Sequence, residues 1–357
     1  GFFDSEWGVP ESWDSVILQG SHISVGRPLY KYPNESMLHN TDWAEIDLEN
    51  IALDEIPLTS YKPRGDRARY DAAYTHWKTE SGDSPIPARK HYRLAWRNMA
   101  ANTGERTFIP AIIPPGTAHI HGVSSVGLPE SDVTLAVVGG LATSLLHDFA
   151  VRSAPKSTIS ASTLDRLPFV DDDALRPMIL LRILRLNCIT SEYSSLWSSC
   201  FDSEFTADSW TSGGINYRGR SHLGEVTDKW TADLPLRRPE ERRQALLELD
   251  VLAAISLGIE AEELCAIYRT QFPVLYGYDQ RTQIYDSAGR LVPSAVMSQW
   301  RRKPASLRGE PLPFAPPGSR KKYVFVGPFK LLDREADMKS AFREFQDRAA
   351  MRRPNST

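Results

Sequence analysis

The chain has 357 residues, with 42 Lys and Arg against 45 Asp and Glu, a net charge of −3 and 41% hydrophobic residues. This balance excludes intrinsic disorder, collagen and coiled coil, and the length predicts two or three units that each bury a core. No apolar run approaches the roughly 18 to 20 residues of a bilayer span and no basic-then-apolar signal opens the chain, which predicts a soluble cytoplasmic protein with no membrane partner.

Charge is carried in blocks. Residues 1–55 hold 2 basic and 11 acidic side chains, net −9, and residues 60–106 hold 10 and 5, net +5. Residues 107–268 hold 13 and 21, net −8, and residues 269–357 hold 17 and 8, net +9. Such segregation points either to one polyanion-facing surface or to blocks that neutralise each other across the fold. Cys188, Cys200 and Cys265 follow no disulfide or zinc spacing and are expected as reduced, mostly buried thiols. Because the chain starts at Gly1, with Phe2, Phe3 and Trp7 like the interior of something larger, it is expected to be a fragment.

Residues 1–60 read as short strands and loops, with apolar runs at Val16-Ile17-Leu18 and Ile23-Ser24-Val25. Asp66 to Tyr74 has the composition of one or two helical turns. Residues 91–99 and 106–114 read as strands joined by the turn-forming stretch 100–105. Residues 132–152 read as one buried helix in which Gly139-Gly140 lets a neighbour approach closely. Residues 175–197 place Ile179, Ile183, Leu186, Tyr193 and Leu196 on one face of an amphipathic helix. Residues 201–236 are loop-like. Pro239 and Glu240-Glu241 start a helix ending at Gly258, and a second helix at 260–271 completes a helical hairpin. Residues 276–292 carry a β-hairpin signal around Asp286 to Gly289, and 334–350 form a charged helix. Residues 301–322 are Pro-rich and basic, with eight positive and one negative side chain over 301–330, as in a mobile loop or a phosphate-facing arm. The fold class expected is α+β, divided as a strand-rich region 1–170, a helical region 171–272 and a C-terminal hairpin, basic loop and helix at 273–357.

Several chemistries leave no trace. No Gly-rich strand-to-helix turn, P-loop, Gly-x-Ser-x-Gly or His-Glu-x-x-His occurs. Neither does the Asn-Pro-Pro-aromatic or Asp-Pro-Pro-aromatic tetrapeptide that amino-methylating enzymes use to hold a flipped base; Pro114-Pro115-Gly116 lacks both flanking groups. His119 and His121 share one strand face as metal ligands or as a solvent-facing edge. Asp171-Asp172-Asp173 bind a cation or cap a helix. The expectation is no catalytic residue and no metal ligand in this chain.

Residues 16–32, 54–74 and above all 91–116 (HYRLAWRNMAANTGERTFIPAIIPPG) resemble the C-terminal half of large bacterial DNA adenine-N6 methyltransferases. These are type IIG-like restriction-modification enzymes and their phage-defence relatives, in which a TaqI-like specificity domain follows the methylase. The likeness continues through 145–170, 264–279, 289–300 and 333–338. It implies double-stranded DNA as partner, an upstream methylase domain or subunit, and other restriction or phage-defence proteins as further partners. S-adenosylmethionine is implied as cofactor of the whole enzyme and not of this chain.

Reading duplex DNA requires cations for phosphates and Arg, Asn or Gln for base edges, presented on rigid elements. Alternation along 91–99 sets Tyr92, Leu94, Trp96 and Asn98 on one face and Arg93 and Arg97 on the other. Arg93, Arg97, Asn98, Asn102, Thr103 and Arg106 are therefore the candidates for base contact. The competing reading pairs Arg93 and Arg97 with acids such as Glu105 or Asp83 in an ordinary surface. Lys62, Arg64, Arg67 and Arg69 are candidates for phosphate contact or for a solvated face, as are Lys156 and Ser157. The alternatives to recognition coupled with methylation are a stand-alone or degenerate specificity subunit and a metal-dependent hydrolase.

Overall fold

The computed structural model describes residues 2–36, 42–78, 84–154, 157–213, 222–315 and 321–353. The fold is α+β, as expected, with eleven α-helices and short strands among the described residues. At its centre an antiparallel sheet places Arg93–Arg97 between Val123–Val126 and Pro110–Ile113. The predicted strand pair is thus present, and Val123–Val126 adds a third member. Alternation sends Tyr92, Leu94 and Trp96 into the main core, while Ala95, Ala111 and Ile113 join a second core with Trp13, Val16, Leu18 and Ile23. The central strand is therefore covered on both faces.

The short α1 (Arg67–Ala72) is capped by Asp66, whose side chain accepts the Ala68 amide, as the 66–74 composition predicts. The single helix expected over 132–152 is two helices, α2 (Asp132–Ala142) and α3 (Leu145–Ser153), bent by 69°. Thr143-Ser144 makes the break. The Thr143 hydroxyl donates to the Gly140 carbonyl at 2.6 Å, and the Ser144 hydroxyl accepts the His147 amide at 3.3 Å as the cap of α3. Buried Asp250 accepts the Leu145 amide at 2.8 Å, and Arg106 binds the Thr143 and Ser144 carbonyls at 2.6 and 3.0 Å. Close approach at Gly139-Gly140 is as expected. A Cβ on Gly139 would stand 3.2 Å from Ile112 of the sheet, and one on Gly140 2.6 Å from Ile179 of the helix behind.

After α4 (Ala161–Leu164) comes α5 (Arg176–Asn187), which stops well short of the predicted residue 197; α6 (Ser194–Cys200) follows. Asn187 ends α5 by turning its amide to the Ile183 carbonyl while accepting the Ile112 amide of the sheet. Every residue of α5 from Pro177 to Asn187 is buried, so it is a central helix and not a surface one. Its two buried arginines are satisfied internally. Arg182 lies between Asp208 (2.6 Å) and Glu248 (2.5 Å), and Arg185 donates to the carbonyls of His222, Leu223 and Leu234. The loop-like segment after residue 200 is laced to the core by these bonds.

The predicted helical hairpin is α7 (Pro239–Ser256) with α8 (Ala261–Gln271). Next comes α9 (Pro273–Arg281), where a hairpin strand was expected; Pro273 supplies the N1 proline of a new helix. The Asp286–Gly289 turn does form, with Asp286 accepting the Ala288 and Arg290 amides and Tyr285 bridging Leu291. The strand Ile284–Tyr285 pairs with Lys330–Leu331. Then α10 (Ser294–Arg302) precedes the hairpin Leu312–Phe314 with Tyr323–Phe325, and α11 (Arg334–Arg352) packs on α7 and α8.

The main core draws on residues between 92 and 349, across all three segments expected from the sequence. A separate small core joins Ile284, Val292, Val296, Met297, Leu312, Tyr323 and Phe325. All three cysteines are buried and unpaired. Among the described residues no single helix is long and apolar enough to cross a membrane; the bent α2 and α3 pair matches a broken span by length and composition, but most of its residues are buried in this fold.

Candidate nucleic-acid interface

The structure separates the twelve candidate residues into those consumed by the fold and those left at the surface. Arg93 is 3% exposed and donates to the Thr117 carbonyl and, at 3.2 Å, to the Ser125 hydroxyl. Burial pushes its guanidinium down to about 10, which leaves it charged at neutral pH and enclosed. Arg97 places Nε and Nη2 on the Ile23 carbonyl at 2.9 and 2.7 Å. Asn98 is buried and donates to the His121 carbonyl at 3.2 Å. Arg106 is held by Asp148 at 2.6 Å and by the two carbonyls between α2 and α3. The bonds of these four run inward: the second core covers the sheet face from which Arg93 and Arg97 project, while Asn98 is held by the His121 carbonyl and Arg106 by Asp148. Among the described residues neither Arg93 nor Arg97 pairs with an acid: they bond to carbonyls and a hydroxyl, and the acid that pairs Arg106 is Asp148. Asp83 lies outside the described residues.

The turn itself is exposed. Met99, Ala101, Asn102, Thr103 and Glu105 face solvent, Met99 at 73%. Backbone bonds join the turn to the other expected contact segment: Ala100 N to Ser157 O at 3.1 Å and Ile159 N to Asn98 O at 2.8 Å, with Met99 bridging Thr158. Ser157 and Thr158 are exposed beside it; Lys156 lies outside the described residues. Two stretches more than 50 residues apart thus make one polar ridge.

The ridge is braced from beneath by Asp148, whose side chain is fully buried. It accepts the Thr107 and Phe108 amides, each at 3.1 Å, and pairs Arg106 and, at 3.4 Å, Arg152. Arg152 also donates to the Gly104 and Glu105 carbonyls, and its guanidinium sits 4.3 Å from the Phe272 ring centroid. The Thr107 hydroxyl donates to Asn102 Oδ1 at 2.9 Å, which orients that amide and leaves its Nδ2 hydrogens for a ligand. Met99 and Thr158 were not among the residues the sequence pointed to. Their exposure depends on pairing between distant segments and has no local signal.

The basic stretch at 62–69 is largely offset. Lys62 pairs with Glu6 at 2.5 Å and Arg64 with Asp4 at 3.3 Å across the antiparallel strands Phe3–Gly8 and Thr59–Pro63. Arg67 donates to the Asp14 carbonyl and, at 3.0 Å, to the Ser15 hydroxyl. Arg69 is exposed and has no hydrogen-bond partner among the described residues.

The hydrolase constellation is not assembled. His119 has both ring nitrogens engaged, by the Ile120 carbonyl and the Ser125 hydroxyl, and burial, with Arg93 close by, pushes it down to about 4. Asp171 and Asp173 pair with Arg176, and Asp172 accepts the Ala174 amide and pairs with Arg353. Among the described residues no three His, Cys, Asp or Glu side chains group as a metal site. A surface cleft of about 490 Å³ is lined by Glu11, Asp14, Asp54, Lys90 and Glu192 among others.

Comparisons with known protein families, with curated proteins and with solved structures return no match.

Proposed function

We propose that this chain is the DNA-recognition part of an adenine-N6 DNA methyltransferase of the restriction-modification or phage-defence kind. It acts in the cytoplasm beside a methylase domain or subunit that carries S-adenosylmethionine and the catalytic tetrapeptide. The family reading rests on the resemblance of residues 91–116 and the flanking segments. The observation that supports DNA recognition is the braced ridge, which unites the 99–105 turn with Ser157 and Thr158 and leaves Asn102 and Thr103 at the surface. Amide and hydroxyl side chains on an immobile backbone are the groups that hydrogen-bond base edges with sequence preference. The chain's task would be to hold the duplex in register while the target adenine leaves the stack.

The test is selection of bound duplexes from a random pool by the whole chain, followed by sequencing. Enrichment of one short motif is expected, and Asn102→Ala or Thr103→Ala should relax single positions within it by about 1 to 3 kcal/mol. A pool returned without enrichment refutes sequence recognition. Enrichment by a chain with no methylase encoded beside it would favour the stand-alone specificity subunit.

A further inference from the structure

We propose that the unit formed by residues 282–315 and 321–331 is a clamp for the phosphate backbone of duplex DNA, distinct from the ridge. The choice of duplex DNA as ligand rests on the function proposed above. These described residues carry eight Lys and Arg against Asp286 and Glu310, a net charge of +6 on a unit that has its own small core.

Lys303 pairs with Glu310 inside the unit at 2.8 Å, and the other described cations divide by direction. Those facing the rest of the protein meet acids there: Arg290 grips Glu49 through two bonds of 2.7 and 2.9 Å, and Lys330 pairs with buried Glu240 at 2.7 Å. Arg301, Arg302 and Lys322 are exposed and have no acidic partner among the described residues. Arg301 and Arg302 end α10, which is anchored by buried Val296 and Met297, so the charges stand on a fixed helix. Exposed Arg308 stacks its guanidinium 5.1 Å from the Trp300 ring centroid, while Trp300 Nε1 donates to the Arg308 carbonyl at 3.0 Å.

Like charges held together on a rigid surface repel one another until an anion meets them, and arginine forks match phosphate oxygens. Trp300 lies under Arg308 and against Phe329, with ring centroids 5.5 Å apart. This ring is packed within the unit, and the choice of a nucleic acid over an anionic membrane follows the function proposed above. Contacts of this kind add affinity and orientation without reading sequence.

The experiment is a salt titration of the whole chain on a scrambled duplex, compared with the variant Arg301→Gln/Arg302→Gln/Lys322→Gln. A control, Lys78→Gln/Lys229→Gln/Arg343→Gln, removes the same charge from exposed sites elsewhere. Each phosphate contact adds about 0.9 to the slope of log affinity against log salt, so the first variant should lose about 2 to 3 from that slope and the control less than about 1. Equal slopes for the two variants overturn the clamp. So does absence of duplex binding by the unaltered chain at low salt, or variant-sensitive binding to phosphatidylserine vesicles with none to duplex. The two proposals fail separately: an unchanged slope with a retained sequence preference removes only the clamp, whereas a reduced slope with no sequence preference removes only the recognition reading.

Discussion

Replacing Asp148 by alanine should destabilise the protein by about 4 kcal/mol or more, because two arginines and two backbone amides lose it together. Its side chain is fully buried, and Arg106 and Arg152, 11% and 9% exposed, lean on it from the turn side. Removing one member of a buried pair costs about 3–5 kcal/mol through the charge left behind. The Thr107 and Phe108 amides, both bonded to it, would each be left unsatisfied at about 1–3 kcal/mol. These costs fall on one network and overlap, so the expected total lies near the upper end of the first figure and below the sum. Asp148→Asn keeps the shape and part of the bonding and should fall between alanine and the unaltered chain. The comparison is Glu6→Ala, which removes an exposed pair with Lys62 and should cost under about 1 kcal/mol. Urea midpoints measure all three, and amide exchange over residues 100–105 reports the loosening directly. A loss below about 1 kcal/mol for Asp148→Ala, or one equal to that of Glu6→Ala, would refute the claim that buried charge braces the ridge.

Three further outcomes follow from the same geometry. Arg93→Met should lower the urea midpoint yet leave the sequence motif in the pool selection unchanged; a relaxed motif in a stable variant would restore Arg93 as a reader. Gly140→Ala should cost about 1–3 kcal/mol, since its Cβ would stand 2.6 Å from Ile179, and an unchanged midpoint would contradict the packing of α2 on α5. Stability should fall as pH drops from about 6.5 toward 4: His22, His119 and His147 are each pushed down to about 4 by burial, so the unfolded chain takes up protons that the folded one refuses. That costs about 2 kcal/mol per histidine between pH 7 and 5, partly offset by Asp250, whose carboxyl burial raises to about 6 and which therefore favours the folded state as it protonates. Urea midpoints that hold constant or rise between pH 7 and 5 would contradict this balance.

The sheet, the helical hairpin and the small-residue contact of α2 were legible because each depends on local period or on local turn chemistry. Arg93 was not. Alternation fixes which side of the strand it takes, but only the packing of residues 70–77 and 117–125 around it decides whether that side meets solvent. The break at Thr143-Ser144 has a local basis in two hydroxyl residues that can cap, yet the apolar period running through it looks continuous. Arg182 and Arg185 sit in a helix whose polar positions suggest an outer face, and only distant partners, Asp208, Glu248 and the carbonyls of the 222–234 segment, allow them inside. Residues 294–302 form a short helix with no side-chain cap, a weak local signal beside the Pro-rich basic stretch that follows. Of the candidate site, the turn and its exposed Asn102 and Thr103 could be read directly, whereas the joining of Ser157 to it required the fold.

Amide hydrogen exchange of the whole chain, with and without a duplex carrying the selected motif, tests the central claim most directly. Protection of residues 99–105 and 157–160 by this duplex, and not by a scrambled duplex at moderate salt, is the predicted result. Protection elsewhere in the chain with these segments unchanged, or identical protection by both duplexes, would contradict the assignment of the ridge as the reader of DNA sequence.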